Sequence, residues 1–513
     1  MRFPLIILLL FTIVLSGCNT LTSASENDHE REDVLNISLG TDLLTWDIHN
    51  HVNSATESVH INVFDYLIMR DWENEGEFTP HLAKEWKQVD DVTWSFVLRD
   101  DVYFHNGDQL TSEDVKYTLE RVANDETLKS NGDYNAISQV EIIDDFNFNI
   151  ITHEPDPMLE SRISRQASGI LPKDYIEKNG MKQFLKEPVG TGPLKFESWS
   201  RGSEVSLVPN EHYFKEPITT WNEVNFKAIT ENSTRVSELI TGGLDIAANV
   251  PPSDWERIET ESNVELVKGD SNRTYLLFLN MEDGMPAQDI NVRKAMDYAI
   301  DDAALVQLLR GGGTPVKTRI NPGNLGFDKT LYDDYNYNPE ISKKLLRESG
   351  YTDGLTIKLM GTQGRYLQDS EVIQMVAGML NEVGIEVELD ILEYSVFVEE
   401  RANKNFGDGY LIALGSSFFD SGQSLAYYSP KTTSTIFGYD NSTVSNLLVE
   451  AETSVNKVER EKNYQEVQQI VAEELPILPL FQLDQFYGVK NGLDIQLRLD
   501  ELIYIPDLEK LNQ

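Results

Sequence analysis

The first twenty residues constrain this chain more than any other segment, because they combine a basic residue, a short apolar run and a cysteine. Arg2 precedes the predominantly apolar run Leu5–Leu15, and two small residues separate that run from Cys18. A membrane-spanning helix needs about 20 apolar residues, whereas the apolar part of a secretory signal peptide has about 7–15. We therefore predict that residues 1–17 are a signal peptide and that the remaining chain is exported.

The cysteine that ends this segment is the only one in the chain. A disulfide bond within the chain is therefore impossible, and the position of Cys18 needs another explanation. Residues 15–18 (LSGC) resemble the bacterial lipobox, in which the cysteine is acylated and becomes the first mature residue. Residues 18–33 are polar and charged, so they are expected to form a lipidated, flexible tether. The alternatives are a plain uncleaved anchor and a chance cysteine behind a signal peptide.

The composition is that of a large, folded and strongly acidic chain. Its 513 residues, 40% of them hydrophobic, suffice for several domains or one multi-lobed unit. With 85 acidic and 43 basic residues, the formal net charge is −42. Such a body repels nucleic acid and anionic membrane surfaces, which excludes nucleic acid as a partner. Adaptation to a saline or alkaline exterior explains the charge more simply than an acidic binding function does.

Apolar residues recur with strand and helix periods along the whole chain. Val34–Leu39 and Thr93–Leu98 alternate as strands do, and Thr111 begins a capped amphipathic helix. Apolar residues at helical spacing between Val292 and Val306 predict one helix, and the alternation of Ile385–Leu389 predicts a strand. Strands and helices that alternate with short links indicate α/β lobes around largely covered sheets.

Several segments, taken in order, resemble the family 5 extracellular solute-binding proteins of peptide and nickel ABC importers. Each segment alone is weak, but the ordered set is specific and extends from about residue 34 to the C-terminus. The segments are residues 78–86 (FTPHLAKEW), 98–107 (LRDDVYFHNG), 110–115 (LTSEDV), 190–196 (GTGPLKF), 292–295 (VRKA), 298–301 (YAID) and 337–340 (YNPE).

The resemblance implies an α/β, two-lobed clamp of the periplasmic-binding-protein type, which encloses its ligand by hinge closure. The family's N-terminal lobe carries an extra subdomain, expected here at residues 56–189. Lobe I is expected to comprise residues 34–55, 190–278 and 480–513, and lobe II residues 279–479. The two crossings between the lobes are then expected near Phe278–Asn280 and near Pro479–Leu480.

The function implied by the resemblance is transport, not catalysis. The chain is expected to capture a di- to oligopeptide outside the cell and to deliver it to a membrane permease powered by a separate ATPase. It is expected to act as a monomer without a cofactor, held to the bacterial cell membrane through Cys18. Alternatives within the same clamp are a metal–metallophore complex, glutathione, an opine or an oligosaccharide. A secreted hydrolase, or a sensor or chaperone that uses the same clamp, is an alternative from another class.

A peptide enclosed between lobes needs a cation for its carboxylate and an anion for its amine, since unpaired buried charge is costly. Residues 364–369 (GRYLQD) are similar to the family segment whose arginine, in dipeptide-binding members, pairs with the ligand carboxylate. The resemblance therefore implies that Arg365 is the carboxylate anchor and Tyr366 an aromatic wall. The alternative is a surface arginine that pairs with Asp369.

In peptide-binding members, a loop after a buried strand carries the aspartate that holds the ligand's amino group. Asp420 is the nearest match, in the loop that follows the strand-like Leu411–Gly415. The loop departs from the family pattern, because Ser416 stands where tryptophan is usual, and a shifted alignment would place Gly422 at the anchor. The alternative role for Asp420 is that of a solvated loop residue.

Four further residues complete the expected binding site. Phe418 and Phe419 flank the expected amine anchor and are expected to fill side-chain pockets of the ligand site. In relatives the loop at residues 50–55 faces the cleft, so Asn53 and Ser54 are expected to be polar contacts.

Metal and enzyme motifs are absent or incomplete. His49 and His51 have a spacing that metal ligands use, but all eight histidines precede residue 213, so lobe II could not complete an interlobe metal site. A structural or surface role is expected for both. Residues 422–426 (GQSLA) lack the second glycine of a nucleophile elbow, and residues 313–318 (GTPVKT) lack the glycine before lysine in a phosphate-binding loop.

Overall fold

A computed structural model describes residues 34–72, 76–429 and 438–511. Cys18, the predicted signal peptide and the predicted tether lie outside these residues. Within the described part of the chain, no helix is long and apolar enough to cross a membrane.

The described residues form nineteen strands, most of which belong to one sheet. The strands are β1 (Val34–Ser38), β2 (Ile68–Asp71), β3 (Glu77–Pro80), β4 (Ala83–Gln88), β5 (Thr93–Leu98), β6 (Ile137–Asp144), β7 (Asn147–Thr152), β8 (Leu194–Ser200), β9 (Glu204–Pro209), β10 (Glu223–Lys227), β11 (Ile246–Ala247), β12 (Val264–Leu279), β13 (Gly313–Pro315), β14 (Leu355–Gln363), β15 (Ile385–Glu393), β16 (Gly409–Gly415), β17 (Ile477–Lys490), β18 (Leu493–Ile495) and β19 (Leu508–Lys510).

The α-helices of the described residues lie between these strands. They are α1 (Ser54–His60), α2 (Ser112–Asn124), α3 (Asn131–Tyr134), α4 (Leu159–Ile163), α5 (Lys173–Asn179), α6 (Met181–Phe184), α7 (Asn232–Thr241), α8 (Trp255–Glu259), α9 (Ile290–Ala299), α10 (Asp302–Leu308), α11 (Pro339–Glu348), α12 (Asp369–Glu382), α13 (Tyr394–Ala402), α14 (Ser421–Leu425), α15 (Ser442–Thr453) and α16 (Lys457–Glu474).

Local sequence signals set several of these boundaries. Thr111 and Asp114 form a capping box at the start of α2, which confirms the predicted capped helix. The single helix predicted between Val292 and Val306 is two helices, α9 and α10. The interruption has a local cause, because the Asp301 carboxylate accepts the N–H of Ala304 at 3.1 Å and caps a second helix.

An eleven-stranded sheet runs through both lobes in the order β15-β14-β16-β12-β17-β11-β1-β10-β9-β8, with β13 also paired to β17. The strands β14, β15 and β16 are parallel neighbours, whereas β12 and β17 are antiparallel. The extra subdomain predicted at residues 56–189 contains a separate four-stranded sheet, β4-β5-β7-β6, and a separate core in which Phe96 stacks on Phe148.

The long strands β12 and β17 connect the lobes. Before the bulge at Ser271–Asn272, β12 pairs with the part of β17 that neighbours β11; after the bulge it lies beside β16. The change of neighbours places the crossing at about Asp270–Arg273 on β12. This pairing favours a crossing earlier in the chain than Phe278–Asn280, because both strands are already inside the lobe II core at that point.

Candidate functional site

The loops at one edge of the lobe II sheet bring together most of the residues singled out from the sequence. The parallel strands β14, β15 and β16 end at Gln363, Glu393 and Gly415. Their carboxyl ends are followed by the loop with Arg365, by Tyr394 and by the loop with Phe418. In open α/β sheets, ligands bind in the crevice outside the carboxyl ends of parallel strands. This edge, whose loop with Phe418 contacts the extra subdomain, is the candidate site.

Arg365 lies at this edge between two tyrosine rings. Its guanidinium carbon is 5.0 Å from the ring centroid of Tyr366 and 5.4 Å from that of Tyr394, and all three residues are half-buried. Aromatic faces attract a guanidinium and hold it in place without neutralising its charge. Among the residues that the structure describes, none forms an ion pair with Arg365. The site therefore presents a positioned, uncompensated positive charge.

Asp369 shapes the loop that carries this arginine. Its carboxylate accepts the backbone N–H groups of Gly364 (2.9 Å), Arg365 (3.0 Å) and Tyr366 (3.2 Å), and the hydroxyl of Thr362 (2.8 Å). The alternative expected from the sequence, a side-chain pair between Arg365 and Asp369, does not form. Asp369 holds the backbone in position and leaves the guanidinium available.

A second arginine, which the sequence did not indicate, reaches the same cluster from the strand that joins the lobes. The guanidinium of Arg273 lies 5.7 Å from the centroid of the Tyr366 ring. It donates to both carboxylate oxygens of Glu501, at 3.1 and 2.9 Å, and so connects β12 to the C-terminal segment. Glu501 is 228 residues away in the chain, so no local sequence signal could have found this pair.

Asp420 has partners within the protein. One of its carboxylate oxygens lies 2.5 Å from the guanidinium of Arg460, and the other accepts the N–H of Gly422 at 2.9 Å. Both Asp420 and Arg460 are buried, and the hydroxyl of Tyr464 is a further partner of Arg460. An occupied, buried carboxylate is suited to fixing the loop. These contacts favour a structural role over the amine-anchoring role expected from the sequence.

Phe418 and Phe419 project from lobe II into the extra subdomain of lobe I. The Phe418 ring lies 5.1 Å from the guanidinium carbon of Arg162 and 5.7 Å from that of Arg165. The Phe419 ring packs edge-on against Trp72 at 4.7 Å. Both phenylalanines are at most 4% exposed. These contacts favour a role in joining the lobes over the role expected from the sequence, which was to fill ligand side-chain pockets.

Arg70 is the third arginine of the extra subdomain at this contact. It donates to the backbone carbonyl of Phe418 at 2.9 Å and to Ser161 at 3.2 Å. Burial lowers the pKa of Arg70 to about 10, and no carboxylate within the described ranges forms an ion pair with it. Arg70 and Trp72 lie on the hairpin β2–β3, whose short strands gave no clear signal in the sequence.

Asn53 and Ser54 lie at the start of α1 in lobe I and are half-buried. The side-chain oxygen of Asn53 accepts the N–H of Thr56 at 2.9 Å and caps the helix. Its role as a ligand contact, like that of Ser54, stays a prediction.

The two histidines with metal-ligand spacing have protein partners. His51 shares a hydrogen bond of 3.1 Å with His60, and His49 contacts Arg121 at 2.6 Å. Burial lowers the pKa of His49 to about 3 and that of His51 to about 4, so both are neutral at pH 7. Within the described part of the chain, no group of three or more metal-ligating side chains is positioned to hold a metal ion.

Comparisons with known proteins agree on the type of protein. The family model for bacterial extracellular solute-binding proteins, family 5 (middle region), matches residues 77–435. The glutathione-binding protein GsiB of Salmonella paratyphi A is 25% identical over 457 residues, which cover 86% of this chain and 88% of that protein.

Two solved structures share the fold over nearly the whole chain. The periplasmic binding protein DppA of Helicobacter pylori, in complex with the peptide STSA, has a TM-score of 0.80 and 21% identity, with 95% of this chain and 100% of that one covered. The oligopeptide-binding protein AppA of Bacillus subtilis, in complex with a nonapeptide, has a TM-score of 0.78 and 21% identity, with 93% and 99% covered. The mixed α/β, two-lobed fold expected from the sequence is confirmed.

Proposed function

The chain belongs to the bacterial extracellular solute-binding proteins of family 5, and from this premise we propose that it captures short peptides between its lobes. The captured peptide is then delivered to a membrane permease powered by a separate ATPase. Relatives with the same fold support a peptide ligand, since DppA and AppA are described with bound peptides and GsiB as a glutathione-binding protein.

The observation that carries this proposal is that Arg365 is held in position but has no ion-pair partner among the described residues. A half-buried guanidinium, positioned by two tyrosine rings and without an ion-pair partner among the described residues, is suited to a ligand carboxylate. A guanidinium binds a carboxylate through two parallel hydrogen bonds, and burial between the lobes strengthens them. The C-terminal carboxylate that every unmodified peptide carries supplies this partner.

The amino end of the ligand is expected to contribute less. Asp420 is engaged by Arg460, and a carboxylate that already pairs with a buried cation gains little from a second one. Recognition is therefore centred on the carboxylate end of the peptide. Glutathione fits this arrangement as well as a linear peptide does, because it is a short peptide that carries two carboxylates.

The place of action follows from the N-terminal segment. Acylation of Cys18 would hold the protein at the outer face of the cell membrane, beside the permease. Replacement of Cys18 by serine removes the acylated atom, so labelled fatty acid should no longer be incorporated and the protein should remain unprocessed or be released. Incorporation of fatty acid into the Cys18→Ser variant would contradict the lipid anchor.

Calorimetry with a panel of ligands tests the capture. The panel holds di- to pentapeptides, their C-terminally amidated forms, glutathione, an opine, an oligosaccharide and a nickel–histidine complex. The Arg365→Ala variant should lose about 2–5 kcal/mol of binding free energy for free peptides, because a ligand charge is enclosed without its partner. This loss corresponds to roughly 30- to several-thousand-fold in affinity.

Two comparisons make the result specific to the carboxylate. Amidation should weaken binding to the wild type by a similar amount and have little further effect on Arg365→Ala, since both changes remove the same interaction. The Arg365→Lys variant keeps the charge but not the bidentate geometry, so it should lose less. If no linear peptide binds the wild type and another ligand of the panel, glutathione included, does, the peptide proposal is wrong. Turnover of a bound ligand would support the hydrolase alternative.

A further inference from the structure

The loop at residues 416–420 buries two large rings outside its own lobe. Phe418 and Phe419 belong to lobe II, yet their rings contact Trp72, Arg162 and Arg165 of the extra subdomain. The backbone carbonyl of Phe418 also accepts a hydrogen bond from Arg70. The described residues therefore show side-chain and backbone contact between the lobes at this end of the cleft.

Two arginines of the surface that receives the rings are held in place by ion pairs. Arg162 pairs with Asp156 at 2.8 Å, and Arg165 pairs with Glu57 at 2.9 Å. Pairing neutralises the guanidinium groups and fixes their planes, so that their faces can pack on the Phe418 ring. These ion pairs oppose displacement of the two side chains by a ligand.

The loop itself is equally fixed. The side-chain oxygen of Gln423 accepts the backbone N–H groups of Ser417 (2.8 Å) and Phe418 (3.1 Å). The carbonyl of Phe419 accepts the N–H of Leu325 at 2.9 Å, and Phe419 has a left-handed φ of 53°. A non-glycine residue keeps this conformation only where its surroundings impose it. The rings are thus presented by a preformed loop.

The two rings follow a strand end that belongs to the candidate site. Gly415, the last residue of β16, is directly opposite Arg273 in the sheet, and Arg273 contacts the ring of Tyr366. Phe418 follows Gly415 by three residues, so its backbone lies within roughly 11 Å of that strand end. A peptide of more than a few residues that is anchored at Arg365 and extends toward this end would meet the rings.

We propose that Phe418 and Phe419 close one end of the cleft and thereby set an upper limit on the length of the peptide that the closed protein holds. The inference rests on the function proposed above and adds the length class of the ligand. A longer peptide would either displace the two buried rings or prevent the lobes from meeting at this contact. A short peptide leaves the two rings in place and allows the lobes to meet. Closure of the lobes therefore selects peptides by length.

The test compares length profiles of binding. Calorimetry with free alanine peptides of two to six residues gives the affinity of each length for the wild type and for the double variant Phe418→Ala/Phe419→Ala. The wild type should lose affinity beyond a limiting length. In the double variant, the affinity of the longest peptide relative to that of the shortest should rise by about tenfold or more, because extra groups in a filled, close-packed site carry a penalty of this order.

A matched control separates length selection from a general loss of closure. Arg310 of lobe II also contacts lobe I, since it donates to the carbonyl of Pro252 at 3.0 Å and lies 5.6 Å from the Trp255 ring. It is exposed, and it is separate from the loop at residues 416–420. Arg310→Ala should change the affinity of all lengths by the same factor and leave the profile unchanged.

The outcomes distinguish this inference from the proposed function. An unchanged profile in the double variant, or the same change of profile in Arg310→Ala, would overturn the length limit while peptide binding itself stands. If the wild type binds no peptide of any length, the proposed function fails and the length limit fails with it. Should the double variant not fold, Phe418→Leu and Phe419→Leu, which remove ring area but keep an apolar side chain, are measured with the same peptides.

Discussion

Arginines on the two sides of the cleft differ in how their charge is satisfied. In the extra subdomain, Arg162 and Arg165 each pair with a carboxylate at less than 3 Å and serve as packing surfaces. In lobe II, Arg365 is held by the rings of Tyr366 and Tyr394 and forms no ion pair within the described residues. Arginine thus forms a packing surface on one side of the cleft and supplies an available positive charge on the other.

The difference follows from the cost of burying charge. A guanidinium that is removed from water needs partners for its hydrogen-bond donors. These are carboxylates for Arg162 and Arg165, and carbonyl and hydroxyl oxygens for Arg70, and a guanidinium with engaged donors has little left to offer a ligand. Aromatic faces, in contrast, fix the position of a cation and leave its hydrogen-bond donors free. Arginines whose donors are engaged by protein groups therefore mark structure. Arg365, which two rings hold and which makes no side-chain hydrogen bond among the described residues, is a candidate binding group. By the same criterion Asp420, which pairs with Arg460, belongs to the structural class.

The largest expected effect concerns this assignment of Asp420. The Asp420→Ala variant leaves Arg460 buried without its partner, and breaking a buried ion pair in this way costs about 3–5 kcal/mol. The free energy of unfolding, measured by urea denaturation without ligand, should fall by this amount.

An exposed aspartate of lobe II, Asp353, provides the control for Asp420. Asp353→Ala should change the free energy of unfolding by less than about 0.5 kcal/mol. If Asp420→Ala is as stable as the control variant but binds peptides much more weakly, Asp420 belongs with the ligand-binding groups and the comparison drawn above is wrong at this residue.

His51 is buried beside Gln166, the chain neighbour of Arg165, and this burial makes the stability of the fold sensitive to pH. Burial lowers the pKa of His51 to about 4, whereas the ordinary value is 6.5. Below pH 6.5 the unfolded chain therefore binds a proton that the folded chain does not, and folding stability falls as the pH decreases toward 4. At pH 5 this single group accounts for about 2 kcal/mol.

Replacement of His51 by glutamine isolates this contribution. Glutamine can donate to His60 but cannot be protonated, and the neighbouring Asp47, Lys129 and Arg165 are the same in both proteins. Between pH 7 and pH 5, the free energy of unfolding should fall by about 2 kcal/mol less in His51→Gln than in the wild type. An equal fall in both proteins would show that His51 is protonated without cost to the fold.

A smaller effect is expected at the rings that hold Arg365. The Tyr394→Leu variant keeps an apolar side chain but removes one of the two aromatic faces, and a cation–π contact of this kind contributes about 0.5–1 kcal/mol. Peptide affinity should fall by roughly two- to fivefold. In the Arg365→Ala background the same substitution should have no further effect, and an unchanged loss there would mean that Tyr394 contacts the ligand directly.

A similarly small effect is expected on the stability of the ligand-free protein. Because Arg365 has no ion-pair partner among the described residues, Arg365→Ala should lower the free energy of unfolding only by the contribution of its two ring contacts, about 1–2 kcal/mol, although it impairs binding. The difference in the free energy of unfolding between Arg365→Ala and Asp420→Ala tests the distinction between available and paired charges most directly. A large destabilisation by Arg365→Ala would place Arg365 with the structural arginines.

The sequence alone determined the class and the general plan of this protein. Periodicity gave the α/β character, Thr111 and Asp114 gave a capped helix, and the ordered segments between residues 78 and 340 gave the family. The sequence also singled out Arg365, since the residues that shape its loop, Gly364 to Asp369, are neighbours in the chain. These features depend on contacts between residues that are close in sequence.

The tertiary structure alone decided which charges are available. Asp420 is separated by 40 residues from Arg460, and Arg273 by 228 residues from Glu501. A local sequence pattern therefore does not show which charges are paired and which are not. The contact of Phe418 with Arg162 likewise joins two lobes. The cost of burying a charge or a ring depends on what surrounds it in space, and that surrounding is set only when distant segments of the chain pack together.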